Sequence, residues 1–453
     1  MQNKFLLAGV AVLIGFSWFF PHVVVASDRS VQELYALAKA KDPVLGRAAA
    51  QLEAGKADQE IAWAALLPRV NANAGIRRMW HTVVNYGPKN VEGSYDGHSY
   101  GMGGQLALFN LPSYLQVAAA NSGARGAEAS VEAARQDLIV RLVNDYVRLL
   151  KAQADEQLYR DELSRVGTIL EQAKAFLQAG TGDIIAVYEA KARLDSAAAD
   201  LIKTEAQRRL AEQSLSSLTG VPVVKIRQLA ISEPKSPLPA GLDWWLDTMQ
   251  KNNPAVRQAK EELAQAKYYS NANRAGHLPT VQLQGGYTVE KGSTFLPEVE
   301  TRQWYVGASI TVPIFSGGET SARTRRALAG ESERRFALED VQEQNTKKLK
   351  EVFLNLQYSV SLAEAYKRKY ESADAQLQAT RKGREIGTRT AIDLLNAEQS
   401  WAVSRRDLAS ALYDNLVRYF ELRAAAGVLQ EGDLQELGEL SLNKPSTTSP
   451  VGS

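Results

Sequence analysis

The sequence predicts a mainly α-helical protein with a smaller, membrane-inserted β component. Three observations carry this: long windows without proline, four short stretches where the hydrophobic period drops to two, and a chain that repeats itself about halfway along. None of the 15 prolines falls between Ser113 and Val221 or between Ile314 and Lys444. Glycine is absent from Ala127–Val166, Asp183–Thr219, Glu331–Lys382 and Thr388–Ala426, which are filled with Ala, Leu, Glu, Gln, Arg and Lys. Residues of high helix propensity uninterrupted by breakers predict very long helices. Within one of them Leu349, Val352, Leu356, Ser359, Ala363, Tyr366, Tyr370, Ala373 and Leu377 keep alternating steps of 3 and 4, the seam of a coiled coil. A helix over Ser113–Gln178 would extend ~100 Å at ~1.5 Å per residue, so the chain builds a rod or tube.

Composition excludes several other classes. The 453 residues are 45% hydrophobic and 23% charged, too apolar for a disordered chain. The formal net charge is +2, and only Lys4 lies in the first 26 residues, leaving +1 for a mature chain and no global field for nucleic acid. Cysteine is absent, which removes disulfides, thiolate metal sites and an N-terminal lipidated cysteine. The four histidines, His22, His81, His98 and His277, have no metal-ligand spacing, so neither a cofactor nor enzymatic chemistry is expected.

Residues 1–26 read as an export signal: Lys4, an apolar run over Phe5–Phe20, and Val24-Val25-Ala26 before Ser27. An uncleaved anchor is the alternative, but the run falls short of the ~18 to 20 residues that span hydrocarbon.

The strands come in two pairs. Val281, Leu283, Gly285, Tyr287 and Val289 alternate with polar residues and glycine, as do Trp304, Val306, Ala308, Ile310, Val312 and Ile314. Earlier, Tyr100, Met102, Leu106 and Leu108 form a return strand, and Val70–Met79 a weaker outgoing one. Each approaches the ~9 to 11 residues of a tilted transmembrane strand. His81–Ser99 and Lys291–Arg302 read as polar loops, and Tyr287, Trp304 and Tyr100 as interfacial aromatics. Two amphipathic hairpins on a soluble helical body satisfy the same alternation.

The duplication is explicit. Asp42-Pro43-Val44 matches Asn253-Pro254-Ala255, and Leu67-Pro68 matches Leu278-Pro279, displaced by 211; after the loops Gly180-Thr181 matches Gly387-Thr388, displaced by 207. We read a first structural repeat over 27–240, a second over 241–430, and a polar tail over 431–453. Four antiparallel strands cannot close a barrel, and an open edge is not viable in lipid, so several chains must share one: two would supply eight strands, three twelve.

In this order and duplicated, Asp42-Pro43, Asn253-Pro254, Val312-Pro313-Ile314-Phe315-Ser316-Gly317-Gly318 and Gly387-Thr388-Arg389-Thr390 with Asp393-Leu394-Leu395-Asn396-Ala397 resemble the TolC family of outer-membrane efflux and secretion ducts. The resemblance covers nearly the whole mature chain. It implies a homotrimer with a shared twelve-stranded barrel among outer-membrane lipid, continued by a helical tunnel in the periplasm. The expected partners are a periplasmic adaptor (membrane fusion) protein and an inner-membrane ABC or RND-type pump, in type I secretion or tripartite efflux of protein or small-molecule cargo. It also implies that the turn around Gly387–Asn396 forms the periplasmic gate. Thr388, Arg389 and Asp393 match the family pattern; Asn396 stands where TolC has an acid and Arg384 where it has a Tyr. Without the resemblance, Thr390 and Asp393 have the spacing of a helix cap. Competing readings are a periplasmic adaptor, which should carry one hairpin and a compact β domain, and a coiled-coil scaffold without alternating strands. Trp244 and Trp245 read as packing residues, and Gly101–Gly104 as strand rather than nucleotide loop.

Overall fold

A computed structural model describes residues 29–83, 91–223, 226–237, 240–292, 299–435 and 437; the expected export segment 1–26 lies outside them. The elements run α1 (Val31–Lys41), α2 (Pro43–Ala64), β1 (Arg69–Val83), β2 (Val91–Phe109), α3 (Leu111–Gln178), α4 (Ile184–Thr219), α5 (Leu242–Asn252), α6 (Pro254–Arg274), a short 3-10 turn at Ala275–His277, β3 (Thr280–Lys291), β4 (Glu300–Thr311), α7 (Glu319–Glu385) and α8 (Ala391–Ala426). The same six-element order thus occurs twice. Neither a single hairpin with a compact β domain nor a strandless scaffold fits it.

Equivalent starts show why. Asp42 caps α2 by accepting from the Leu45 N–H at 2.8 Å, with Pro43 in the first turn; Asn253 caps α6 the same way ahead of Pro254. Burial opposes the Asp42 charge, but Arg141 at 2.8 Å and the Leu45 N–H outweigh it and hold the carboxyl below its usual range. Asn253 instead donates to the Ala425 carbonyl at 2.9 Å.

The rods associate through small residues at heptad intervals. Ala190, Ala197, Thr204 and Ala211 are buried along α4, and Ala397, Ser404 and Ala411 along α8 at positions displaced by 207. Along α7, Leu349, Leu356, Ala363, Ala373 and Leu377 are buried as the seam predicts; Phe353 rather than Val352 turns inward. Small side chains let backbones approach, and α7 lies along α8 as α3 lies along α4. The large apolar core sits at the equator, where α3 supplies Leu138, Ile139, Leu142, Tyr146 and Leu150, α4 Leu215, and α8 Leu416 and Phe420. A second cluster joins Trp245 and Met249 of α5 to α7 and α8, so Trp245 packs as expected, whereas Trp244 is half exposed and meets the Trp245 ring edge-on.

Part of the segment read as a polar tail belongs to that core. Leu434 and Leu437 are buried, and Glu431 takes Lys39 at 2.7 Å and the Tyr35 hydroxyl at 3.0 Å. The surrounding Glu, Gln and Gly masked two leucines three residues apart.

The strands form one antiparallel sheet in the order β1-β2-β3-β4. β1 and β2 pair continuously from Arg69–Gln105 to Val83–Val91, so most of the expected loop His81–Ser99 is strand. Its Gly, Ser and charged residues obscured the alternation, and the pairing satisfies their backbones. β4 stops at Thr311, before Pro313 and short of the expected Ile314, since proline has no N–H for a ladder. Paired residues share a face, which separates the two sides. Val70, Ile76, Tyr100, Met102, Leu283, Tyr287, Trp304, Val306 and Ile310 lie on one; Asn71, Asn73, Gln105, Gln282, Gln284, Thr288 and Ser309 lie on the other. The apolar face is uncovered, with Ile76, Trp304 and Val306 92%, 79% and 82% exposed. The Tyr287 and Trp304 rings lie 4.5 Å apart on it. Among the described residues no helix is long and apolar enough to cross a membrane.

These two faces predict opposite responses to charge. Val306→Arg places a cation on the apolar face, costing about 2–4 kcal/mol in lipid, whereas Ser309→Arg on the polar face is tolerated. Heat-modifiable migration of outer-membrane fractions should be lost in the first variant and kept in the second.

Candidate functional site

The two helical hairpins turn at the end opposite the sheet, because α3 and α7 each leave a strand and run outward without a break. Both turns share one construction. Gly180 and Gly387 have φ of 75° and 79°, a left-handed conformation that glycine adopts at little cost. The Thr388 N–H donates to the Gly383 carbonyl at 2.7 Å and the Gly387 N–H to Arg384 at 3.0 Å; Thr181 to Phe176 and Gly180 to Leu177 repeat the pattern at 3.0 Å each. These paired bonds close the last turn and satisfy carbonyls that α3 and α7 would otherwise leave open.

All five sequence-predicted residues lie on the second turn or just beyond it. Arg384 is exposed in the last turn of α7, where a cation complements the helix dipole, and its carbonyl accepts from Gly387. Thr388 donates its hydroxyl to the Gly383 carbonyl at 2.9 Å. The Arg389 side chain lies across Gly383: a Cβ added there would sit 2.7 Å from the Arg389 Cγ, so that glycine leaves room for the arginine. Gly383 has ordinary helical φ and nothing in the sequence marks it out.

Asp393 and Thr390 form a reciprocal cap. The Thr390 N–H and hydroxyl both donate to Asp393 Oδ2 at 2.9 Å, and the Asp393 N–H donates to the Thr390 hydroxyl at 3.1 Å. The Thr390 N–H first, then its hydroxyl, hold the Asp393 carboxyl below its usual range, with Arg389 adding a smaller attraction. In the protomer, then, the aspartate is a cap, and Arg389 has no ion pair among the described residues.

Asn396 stands apart from that cap. Its Oδ1 accepts from Arg193 Nη1 of α4 at 3.3 Å, and one turn on Gln399 donates to Glu162 of α3 at 2.8 Å. Neither partner was foreseen, since a contact between residues 203 apart leaves no local pattern. Behind these bonds lies a cleft of about 320 Å³, lined by residues of α3, α4 and α8 including Val166, Ile169, Ile392 and Leu395. The first turn differs: Gly182, Ala186 and Glu189 occupy the places of Arg389, Asp393 and Asn396. Arg389 and Asp393 thus have uncharged counterparts, whereas Glu189 is charged where Asn396 is neutral.

Among the described residues no three His, Asp or Glu side chains converge as a metal site would require. The arrangement offers a set of hydrogen bonds and charges at the mouth of a bundle, able to hold helices together or let them part.

Known proteins share both the sequence and the architecture. The family model described as outer membrane efflux protein matches residues 34–221 and again 245–428, one match to each half of the duplication. Outer membrane protein TolC of Vibrio cholerae is 28% identical over 416 residues, spanning 90% of this chain and 93% of its own. The alkaline protease secretion protein AprF of Pseudomonas aeruginosa is 28% identical over 410 residues, spanning 88% and 85%. In three dimensions the CmeC outer membrane channel of Campylobacter jejuni matches with a TM-score of 0.74 at 17% identity over 97% of each chain, a likeness of fold.

The cap has a defined pH response. A carboxyl whose folded pKa is lowered adds stability that is present above its unfolded value of about 3.9 and is lost as pH falls through the folded value. Protection factors for amide exchange in the first turn of α8 should therefore drop on acidification below about pH 4. Asp393→Asn should remove that pH dependence, and Thr390→Ala should loosen the turn at every pH.

Proposed function

This chain belongs to the outer membrane efflux protein family, and we propose that it serves as the exit duct of a type I secretion or tripartite efflux system. The protein is an outer-membrane channel, and its family comprises channels rather than enzymes. The observation that carries the finer reading is the four-stranded sheet, apolar on one face, polar on the other and open at both β1 and β4. Hydrocarbon contains no partner for the open edges, so β4 of one copy pairs with β1 of the next. A homotrimer closes this into twelve strands with a wet lumen lined by the polar face, and the rods continue the lumen through the periplasm.

In this reading an export segment, 1–26, precedes two structural repeats, 27–240 and 241–430. The hairpin tips meet a periplasmic adaptor, and an inner-membrane ABC or RND-type pump delivers cargo. The likeness to a protein named for alkaline protease secretion, over 88% of this chain, supports protein cargo. Arg384, Thr388, Arg389, Asp393 and Asn396 form the gate at the hairpin tips, and Arg389, which has no ion pair among the described residues, is placed to bond a neighbouring copy.

Single-channel recording of the purified trimer in planar bilayers tests this. The parent should show a small conductance, and Arg389→Ala a larger one. A monomeric protein without pore activity would overturn the duct reading.

A further inference from the structure

The two open edges of the sheet repeat the residues of a junction that the protomer already contains. We propose that β4 pairs with β1 of the next copy in the register that β2 uses with β3, which sets Trp304 directly opposite Trp80 of the next copy as an aromatic clasp toward the outer rim. The proposal rests on the duct reading above and gives its subunit seam a register and a contact.

The duplication fixes the register. β1 corresponds to β3 at a displacement of 211 and β2 to β4 at 206, and the ladders obey both: Arg69 faces Gln105 in the first hairpin, and Thr280 faces Thr311 in the second. Equivalent hairpins joined edge to edge repeat one junction around a closed barrel, so β2–β3 is the template for β4 and the next β1. In that template His98 faces Lys291, Met102 faces Tyr287 and Gly104 faces Gly285. Shifted by the same displacements, Trp304, Ala308 and Ile310 face Trp80, Ile76 and Ala74 of the next copy. The apolar faces of the two copies stay in step, whereas a slip of one residue would turn one of them over.

Glycines on the edges give independent support. In the β2–β3 junction a Cβ added at Gly101 would lie 2.6 Å from the Tyr287 carbonyl oxygen, and one at Gly286 2.8 Å from that of Met102, so neither place admits a side chain. Their counterparts on the open edges are Gly307 and Gly75. A Cβ at Gly307 meets nothing within 4 Å, and one at Gly75 only the Ser99 hydroxyl at 3.5 Å, so a single copy demands glycine at neither. Glycine weakens a strand, and its presence needs a close approach to explain it. The proposed register supplies one at each: Gly307 meets the Ile76 carbonyl of the next copy, and Gly75 the Ala308 carbonyl of the copy before. The clasp is what the outer junction adds. Trp80 and Trp304 are 74% and 79% exposed, and the Arg78 guanidinium lies 5.7 Å from the Trp80 ring centre. Residues directly opposed across a ladder stand ~4.5–5.5 Å apart at Cβ, close enough for two indoles to pack.

The chain has no cysteine, so paired substitutions in the full-length protein read the register directly. Ile310→Cys with Ala74→Cys, and the adjacent pair Thr311→Cys with Asn73→Cys, cover both pair geometries of an antiparallel ladder, and at least one should oxidise to covalent trimers. Ile310→Cys with Ala72→Cys or with Ile76→Cys, a slip of two residues, should not cross-link, because diagonal neighbours lie ~7–8 Å apart, beyond the span of a disulfide. Gly307→Val should abolish the trimer and leave the helical circular dichroism of the protomer unchanged. Trp304→Ala, Trp80→Ala and the double variant should all lower the temperature of trimer dissociation by the same amount. Trimers that cross-link in neither predicted pair, or in a slipped one, overturn the register, as does a parent-like trimer from Gly307→Val. Additive losses from the two tryptophans, or none, overturn the clasp. In each of these cases the duct stands; a parent that is monomeric and forms no pore overturns both.

Discussion

The unpaired backbone groups along β1 and β4 are the constraint on which the rest of the structure depends. A sheet whose apolar residues face outward belongs in lipid, yet lipid cannot satisfy a free strand edge. The chain meets both demands only by sharing its edges with further copies. That requirement keeps the helices at one end of the sheet, because any element crossing an edge would block the pairing. It also explains why a protomer leaves Ile76, Trp304 and Val306 bare: their solvent is hydrocarbon.

Outside the membrane the problem becomes one of length without a thick core. Rods such as α3 and α7 cannot bury much apolar surface per turn, so they use Ala, Ser and Thr at heptad intervals to bring backbones close. The thick packing is confined to the equator, where α1, α5 and the chain's last described residues wrap the rods. Asp42 and Asn253 show how duplicated sites drift while keeping their job. Both cap a helix that starts at proline, but one binds a half-buried guanidinium and the other a carbonyl. The tips have drifted further, from identical turns to unlike chemistry.

The helices and the duplication were legible because they rest on local statistics. A missing proline over more than a hundred residues has few explanations, and a fixed displacement between matching motifs has fewer. The outer half of β1 and β2 was not legible, since Arg77, Arg78, Gly93 and Gly97 follow no alternation and are strand only because they are paired. Leu434 and Leu437 were hidden by polar neighbours. At the tip, the Thr390–Asp393 cap could be read from spacing, whereas Arg193 and Gly383 acquire their roles from partners that folding brings close. Sequence periodicity reports which face is buried; it does not report which neighbour a long polar side chain reaches.

The confinement of dense packing to the equator has a mechanical consequence. Between it and the hairpin ends, α3 runs on for roughly 30 residues, or ~45 Å, as a lever with no joint. A rotation of about 3° at that fulcrum carries the far end ~2 Å sideways, comparable to the reach of one hydrogen bond. Small adjustments where the core is tightest are thus magnified at the hairpin turns. Displacing the hairpin turns therefore takes no hinge, only stiffness.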